Sequence, residues 1–397
     1  MVSATGDRAA GIARGDAVAL TRALTRIDSR NPTLVPGAPG EGPVARHLAQ
    51  VLDDWGVRAD LTDAAPGRPN LVARIGPAGA PGLIFTGHLD TVGVKGMTHS
   101  PFDADIRSDC VFGRGSADMK GGIAAMCSAA VLALDSVGGA ARRQIIIAAV
   151  ADEEYESLGM RALVGSGIEA EAAIVTEPTK LSICPAHRGF VWAELEFGGR
   201  AAHGSRYDIG IDAIRHAGLV LAELDELDAG DLQQRTHPLL GRGSLHASTI
   251  DGGIGLSTYP DRCLLKIERR TLPGETPDDV MLELQSACDR VRARRPQLSV
   301  QIRLIEAQAP SDVSPGAPVV TMLRNALRAE AIEPTIEGMS AWTDAGVLND
   351  AGIPAICFGP GDIRLAHAAE EFVPITDIER ATAVLTRLAR DWLSEKM

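Results

Sequence analysis

From about residue 70 the chain alternates between short, almost unbroken apolar runs and longer segments whose apolar residues return every three or four positions. The runs "NLVARIG" (70–76), "GLIFTG" (82–87), "QIIIAAVA" (144–151), "EAAIVT" (171–176) and "IPAICFG" (353–359) have the length and β-branched content of strands buried on both faces. Helical spacing marks "DAVALTRALTRIDSR" and "PVARHLAQVLDDWG", parted by a Pro/Gly-rich loop over 31–43, and again "GGIAAMCSAAVLALDSVG" (121–138). Apolar strands alternating with helices predict an α/β domain built on a mixed, mostly parallel sheet with helices on both faces.

Between residues 189 and 306 the pattern changes. "GFVWAELEFGG" alternates as a half-buried strand, "DAIRHAGLVLAELDEL" (212–227) is helical, and "SLHASTIDGG" (244–253) and "RCLLKIERRTL" (262–272) are consecutive strands. "TPDDVMLELQSACDRVRARR" (276–295) predicts a helix with Thr276 as N-cap, Pro277 at its first position and Asp279 completing the cap. "SVQIRLIEA" (299–307) closes the segment. The order β-α-β-β-α-β predicts an inserted ferredoxin-like α+β domain. The chain then returns to α/β material, with helices over "VVTMLRNALRAE" and "ITDIERATAVLTRLARDWLSEKM", the latter with Thr376 and Glu379 at capping-box spacing. The expected domains are therefore 1–188 and 307–397 together, with 189–306 inserted.

Composition narrows the class. Of 397 residues, 45% are hydrophobic and 23% charged, as in a globular protein. A net charge of −13 repels phosphate backbones and argues against a nucleic-acid partner. No run reaches the roughly 18 consecutive apolar residues of a membrane span, and "MVSATGDRAAGIARGDAVAL" has no continuous apolar core of a secretory signal. The six cysteines are scattered without a CxxC pair and read as free thiols, so a cytoplasmic protein is expected.

Candidate chemistry collects at the strand ends. "FTGHLDTV" delivers His88 and Asp90 two residues apart at the mouth of a strand. Glu153 and Glu154 follow "QIIIAAVA", Glu177 follows "AAIVT", Asp118 sits in the glycine-rich "GRGSADMKGG", and His367 lies in the loop after a late strand. Each has a plain reading alone: a helix-start aspartate, solvated loop acids, a turn glutamate, a surface histidine. In open α/β sheets, however, ligands bind beyond the carboxyl ends of strands. Two histidines and several carboxylates gathered there suit two divalent metals with a bridging carboxylate, because so many acids packed without cations would be costly.

"GHLDTV", "GRGSADMKGG", "ADEE", "TEPT", "AAHGS" and "AHAAEEFVP" occur in the order seen in the dinuclear-zinc hydrolases that include acetylornithine deacetylase, succinyl-diaminopimelate desuccinylase, aminoacylase and bacterial glutamate carboxypeptidase. The resemblance spans residues 16 to 393. It implies that His88 and Glu177 hold one metal, Glu154 and His367 the other, and that Asp118 bridges. It also implies Asp90 as the group that fixes the His88 ring, Glu153 as general base, and His203 of "AAHGS" as a residue reaching the active site across a homodimer interface. "ERRTLPGE" resembles the family's D-x-R-x-x-P-G, which makes Arg270 the reader of a substrate carboxylate, with Ser257 and Gly359 as further substrate contacts. Two departures stand out: Ser257 occupies a place that is often Asn, and Gly346 one that is Arg in some members.

The expected activity is hydrolysis of the amide bond of a small N-acyl amino acid by a metal-held hydroxide. Two divalent ions are the expected cofactors, zinc first, with cobalt or manganese as alternatives. A carboxypeptidase or dipeptidase with the same site, and a non-catalytic metal-dependent binding protein, are the competing classes. Glu153, which needs no metal contact to serve as a base, argues against the last.

Overall fold

A computed structural model describes residues 11–395. The N-terminal stretch read for a targeting signal begins before this range, and the expected last helix extended to Lys396 and Met397 beyond it. The chain divides into two compact units. One comprises residues up to Pro185 with 313–337 and the residues from Thr343 onward; the other comprises Ala186–Asp312 and Gly338–Trp342.

In chain order the first unit lays down α1 (Ala17–Thr25), α2 (Gly42–Asp54), β1 (Ala59–Ala65), β2 (Arg68–Ile75), β3 (Gly82–His88), β4 (Cys110–Phe112), α3 (Gly121–Val137), β5 (Gln144–Val150), α4 (Leu158–Gly165), β6 (Ala172–Val175) and β7 (Ile183–His187). The second unit contributes β8 (Gly189–Gly198), α5 (Ala213–Ala229), β9 (Ser244–Gly252), β10 (Arg262–Thr271), α6 (Pro277–Arg294) and β11 (Ser299–Gln308). The first unit then resumes with α7 (Pro318–Ala329), β12 (Ala355–Cys357), β13 (Phe372–Pro374) and α8 (Ile375–Ser394).

The main sheet of the first unit has the order β1-β2-β5-β3-β6-β12-β7. Its middle strands β5, β3, β6 and β12 are mutually parallel, and β1, β2 and β7 run antiparallel to their neighbours. Every residue of β3, β5 and β6 is buried, which is why these strands read as continuous apolar runs. Helix α3 with the turn before it is long and apolar enough to cross a membrane by composition alone. Its residues from Gly121 to Val131 are buried in the protein core, among Phe85, Ile147, Leu385 and Trp392. An all-round apolar helix is what a core position with no solvent face demands.

Two strands escape the sequence pattern for physical reasons. β1 is an exposed edge strand and so carries polar residues. β7 contains Pro185, which normally argues against a strand. The capping box expected at Thr376 and Glu379 is a correction: the N-cap of α8 is Pro374, two residues earlier. Pro374 ends β13 in extended geometry, and the first helical amide, Ile375 N, already donates to Asp109 O at 2.8 Å. The cap predicted at Thr276 does form, with Thr276 Oγ1 accepting from Asp279 N and Asp279 accepting from Thr276 N.

In the second unit a four-stranded antiparallel sheet has the order β9-β10-β8-β11. Helices α5 and α6 supply Ala217, Val220, Leu224, Leu284 and Val291 to a core shared with Leu195, Phe197, Leu265 and Ile267 of the sheet. All six cysteines are unpaired, and five are buried.

Candidate metal centre

His88 is the last residue of β3, 1% exposed, so the strand carries its imidazole into the interior. Nδ1 lies 3.0 Å from the backbone carbonyl of Asp90, and Nε2 lies 3.0 Å from Asp118 Oδ1. Asp90, expected to fix this ring, meets it through its carbonyl, with its carboxylate within ion-pair range. Asp90 Oδ1 is 3.7 Å from Nδ1, and the carboxylate hydrogen-bonds elsewhere. It accepts the backbone N–H of Glu153 at 3.1 Å and of Glu154 at 3.2 Å, and Asn31 Nδ2 at 2.8 Å. Asp90 therefore steers His88 with its carbonyl and the Glu153–Glu154 turn with its side chain.

That turn begins where β5 ends. Asp152, fully buried at φ +69°, accepts Asn31 Nδ2 and Arg68 Nη2, while Arg68 also grips the buried Glu41. Glu154 Oε2 lies 2.9 Å from His367 Nε2, which is 3.4 Å from Asp118 Oδ2. Glu153 Oε2 is 3.8 Å from His88 Nε2. The ligand atoms of His88, Asp118 and Glu154 lie within 4.8 Å of one another. Asp118 thus faces His88 with one oxygen and His367 with the other.

Glu177 is 3% exposed just past β6. Its segment is pinched on two sides by glycine. A Cβ on Gly122, at the start of α3, would stand 2.0 Å from Thr176 O. One on Gly359, after β12, would stand 2.4 Å from the same oxygen and 2.6 Å from Glu177 O. Gly359 was expected as a substrate contact; its N–H donates to Thr179 Oγ1 and its carbonyl accepts from Leu181, so its polar groups are used inside the fold. Its role here is to let the loop lie against Glu177.

The electrostatics are those of a crowded acid site. Burial pulls the His88 imidazole down, but Asp118, Glu153 and Glu177 outweigh it and hold the ring well above its ordinary value. Burial likewise opposes the His367 charge, yet Asp118 and Glu154 push it up to about 10. Asp118 goes the other way: the two imidazoles overcome its burial and hold it well below the usual carboxylate range. Burial raises Glu153, Glu154 and Glu177, helped by neighbouring carboxylates: Glu177 for Glu153, and Asp118 for Glu154 and Glu177. Asp344, buried with Ser157 Oγ donating to it, is pushed up to about 7 by burial. The donor set fits divalent cations: nitrogen and oxygen ligands converge, and Glu154 Oε1 is buried with no hydrogen-bond partner among the described residues.

Asn31, Glu41, Arg68 and Asp152 were not named by the sequence reading, whereas Asp344 lies in "AWTDAGVLND", whose "TDA" fits the family pattern. Among those four Asp152 alone had a signal, its place beside Glu153; the others sit in loops or on β2 with no periodic mark.

His203, Ser257 and Arg270 belong to the second unit. His203 is part of a turn: Ser205 N donates to its Nδ1, which also lies 2.8 Å from Ser205 Oγ. The same turn is held to Ser257 by Gly204 N donating to Ser257 O at 2.7 Å, with the Ser257 side chain exposed. Arg270 gives its Nε to Glu268, whose other oxygen accepts Trp192 Nε1 at 2.8 Å, and its guanidinium lies 5.5 Å from the Phe190 ring centre. Nη1 and Nη2 of Arg270 make no hydrogen bond among the described residues.

The sequence model of peptidase family M20/M25/M40 matches residues 84–391. An acetylornithine deacetylase of Myxococcus xanthus is 32% identical over 334 residues, covering 82% of this chain and 85% of that protein. An N-formyl-4-amino-5-aminomethyl-2-methylpyrimidine deformylase of Bacillus subtilis is 28% identical over an aligned length of 409, covering 94% of each. Among solved structures, a dinuclear metal-binding M20 peptidase of Bacillus subtilis superposes with a TM-score of 0.70 at 13% identity, covering 95% of this chain and 97% of that one.

Proposed function

The chain belongs to peptidase family M20/M25/M40, and from that premise we propose that it removes the acyl group from a small N-acyl amino acid at a centre for two divalent cations, zinc first among them. The observation that carries the reading is the convergence of His88, Asp118, Glu154 and His367, with Glu153 3.8 Å from His88. The names of both curated relatives describe removal of an acyl group from a small molecule.

In this reading His88 and Glu177 hold one cation, Glu154 and His367 the other, and Asp118 both. When bound, the cations supply Lewis acidity, polarising a carbonyl and lowering the pKa of a water. The residues do the rest. Glu153, whose carboxyl is raised by burial and neighbouring acids, takes a proton from the attacking water and returns it to the leaving nitrogen. Asp90 holds Glu153 and Glu154 at fixed places through their backbone N–H groups. His203 donates to the oxyanion from a second copy of the chain in a homodimer. Arg270, its Nε fixed by Glu268, offers its two Nη groups to the substrate carboxylate.

A screen of N-acetyl, N-formyl and N-succinyl amino acids against dipeptides, each with Zn²⁺, Co²⁺ or Mn²⁺, tests this. Cleavage of acylated amino acids well above dipeptides is expected. Dipeptides as the better substrates would replace the reading with that of a peptidase.

A further inference from the structure

The loop that presents Asp118 and the loop that presents His367 are tied together by two buried residues, Glu371 and Arg114, that take no part in the chemistry above. Glu371 is fully buried. Its Oε1 accepts the backbone N–H groups of Ala117 at 3.1 Å and Asp118 at 3.2 Å, and its Oε2 accepts Nη1 of Arg114. Arg114, 3% exposed, donates Nη2 to the carbonyl of Ala368, the residue after His367, and Nε to Gly93 O. The backbone repeats the tie: Gly113 N donates to Glu371 O at 3.1 Å, and β13 pairs with β4. Glu371 therefore grips the amide of Asp118 itself, while its partner Arg114 grips the peptide beside His367.

We propose that Glu371, clamped by Arg114, is the positioning residue that holds Asp118 and His367 in one geometry, so that the centre's affinity for the cation shared by these two residues depends on it. The proposal rests on the metal-centre reading above. A buried carboxylate has several acceptor sites, and here they are spent on two adjacent amides and a guanidinium. Charge-assisted hydrogen bonds of this kind fix a loop more firmly than neutral ones. Partners that orient ligands typically contribute about 10–100-fold to metal affinity.

Metal-free full-length protein is titrated with Co²⁺ alone and followed by its visible absorption and by calorimetry, for the unmodified chain, Glu371→Gln and Arg114→Lys. Glu371→Gln keeps the size and one acceptor oxygen but turns an amide toward Arg114. Arg114→Lys keeps the charge but cannot reach Gly93 O and Ala368 O together. The expected result is two bound Co²⁺ in the unmodified chain, a second Co²⁺ bound about 10-fold or more weakly in Glu371→Gln with an altered spectrum, and a smaller loss of the same kind in Arg114→Lys. If Glu371→Gln does not fold, Arg114→Lys decides. Unchanged Co²⁺ affinity and spectrum in the folded variants overturns the proposal, as does a lowered melting temperature of the metal-free protein with Co²⁺ affinity retained. An unmodified chain that takes up no Co²⁺ sinks the metal-centre reading and this proposal with it.

Discussion

In the first unit, carboxylates and imidazoles are buried at the ends of apolar strands, whereas in the second several charges pair across a partly exposed sheet face. Arg262 on β10 meets Glu196 on β8, and Arg303 on β11 meets Glu194 on β8, all with at least one partner open to solvent. Such pairs contribute little and are easily replaced. The first unit's cluster is different in kind. Glu41, Asp90 and Asp152 are fully buried with Arg68 and Asn31 as their neighbours, and Glu153, Glu154 and Glu177 are held raised by burial. An arrangement that costs desolvation without gaining packing is retained for chemistry. The second unit has buried charge as well. Arg269, fully buried, pairs with Glu275 and Glu283, while its neighbour Arg270 points to the opposite face of the same strand. One strand thus carries a structural arginine and a candidate binding arginine side by side.

The comparison breaks most visibly at Glu153. Glu153→Ala is expected to keep its metal content and melting behaviour yet lose about 10²–10⁴-fold in kcat. Near-normal turnover with metals in place would remove Glu153 from the role of base. Glu154→Ala, one residue on, should instead lose metal, measured by elemental analysis after desalting.

A stability effect of similar weight is expected in the second unit. Arg269→Ala leaves Glu275 and Glu283 without their buried cation and should cost about 3–5 kcal/mol in urea unfolding, while Arg262→Ala on the exposed face should leave the urea midpoint where it was. Equal effects would erase the distinction between buried and exposed charge drawn here.

A smaller effect depends on pH. Burial pushes His187 down to about 4, and its Nε2 is buried without a hydrogen-bond partner among the described residues. The unfolded chain binds this proton more readily than the folded one, so His187 stability is present above about pH 6.5 and lost as pH falls through about 4. Unfolding midpoints measured at pH 7 and pH 4.5 should fall less in His187→Gln than in the unmodified chain, by an amount of order 1–3 kcal/mol. Equal losses in the two proteins would mean that His187 titrates normally.

Legibility in the sequence followed burial. β3, β5 and β6 are covered on both faces and announce themselves as apolar runs; β8 and β10 alternate because only one face is covered. The exposed edge strand β1 leaves no such trace. At the centre, His88, Asp118, Glu153, Glu154 and Glu177 were legible because each interrupts or follows an apolar or glycine-rich context, and His367 through the motif "AHAAEEFVP". The shell that orders them was not. Asn31 lies in a Pro/Gly loop, Arg68 opens a strand, and Glu371 follows another acid, so nothing local separates them from surface residues. Their roles come from contacts between residues 59 to 257 positions apart. The Asp90 carboxylate shows the same limit: the two-residue spacing placed it beside His88, but its hydrogen bonds to the Glu153–Glu154 turn depend on how β5 ends next to β3.

The most direct test of the metal centre is the number of divalent ions held per chain, measured by calorimetric titration of Zn²⁺ into the metal-free protein and into His88→Ala. Two tightly held ions are expected in the unmodified chain, with loss of tight binding at one or both positions in His88→Ala. Fewer than two ions in the unmodified chain, or two held equally tightly when His88 is gone, would contradict the metal-centre reading.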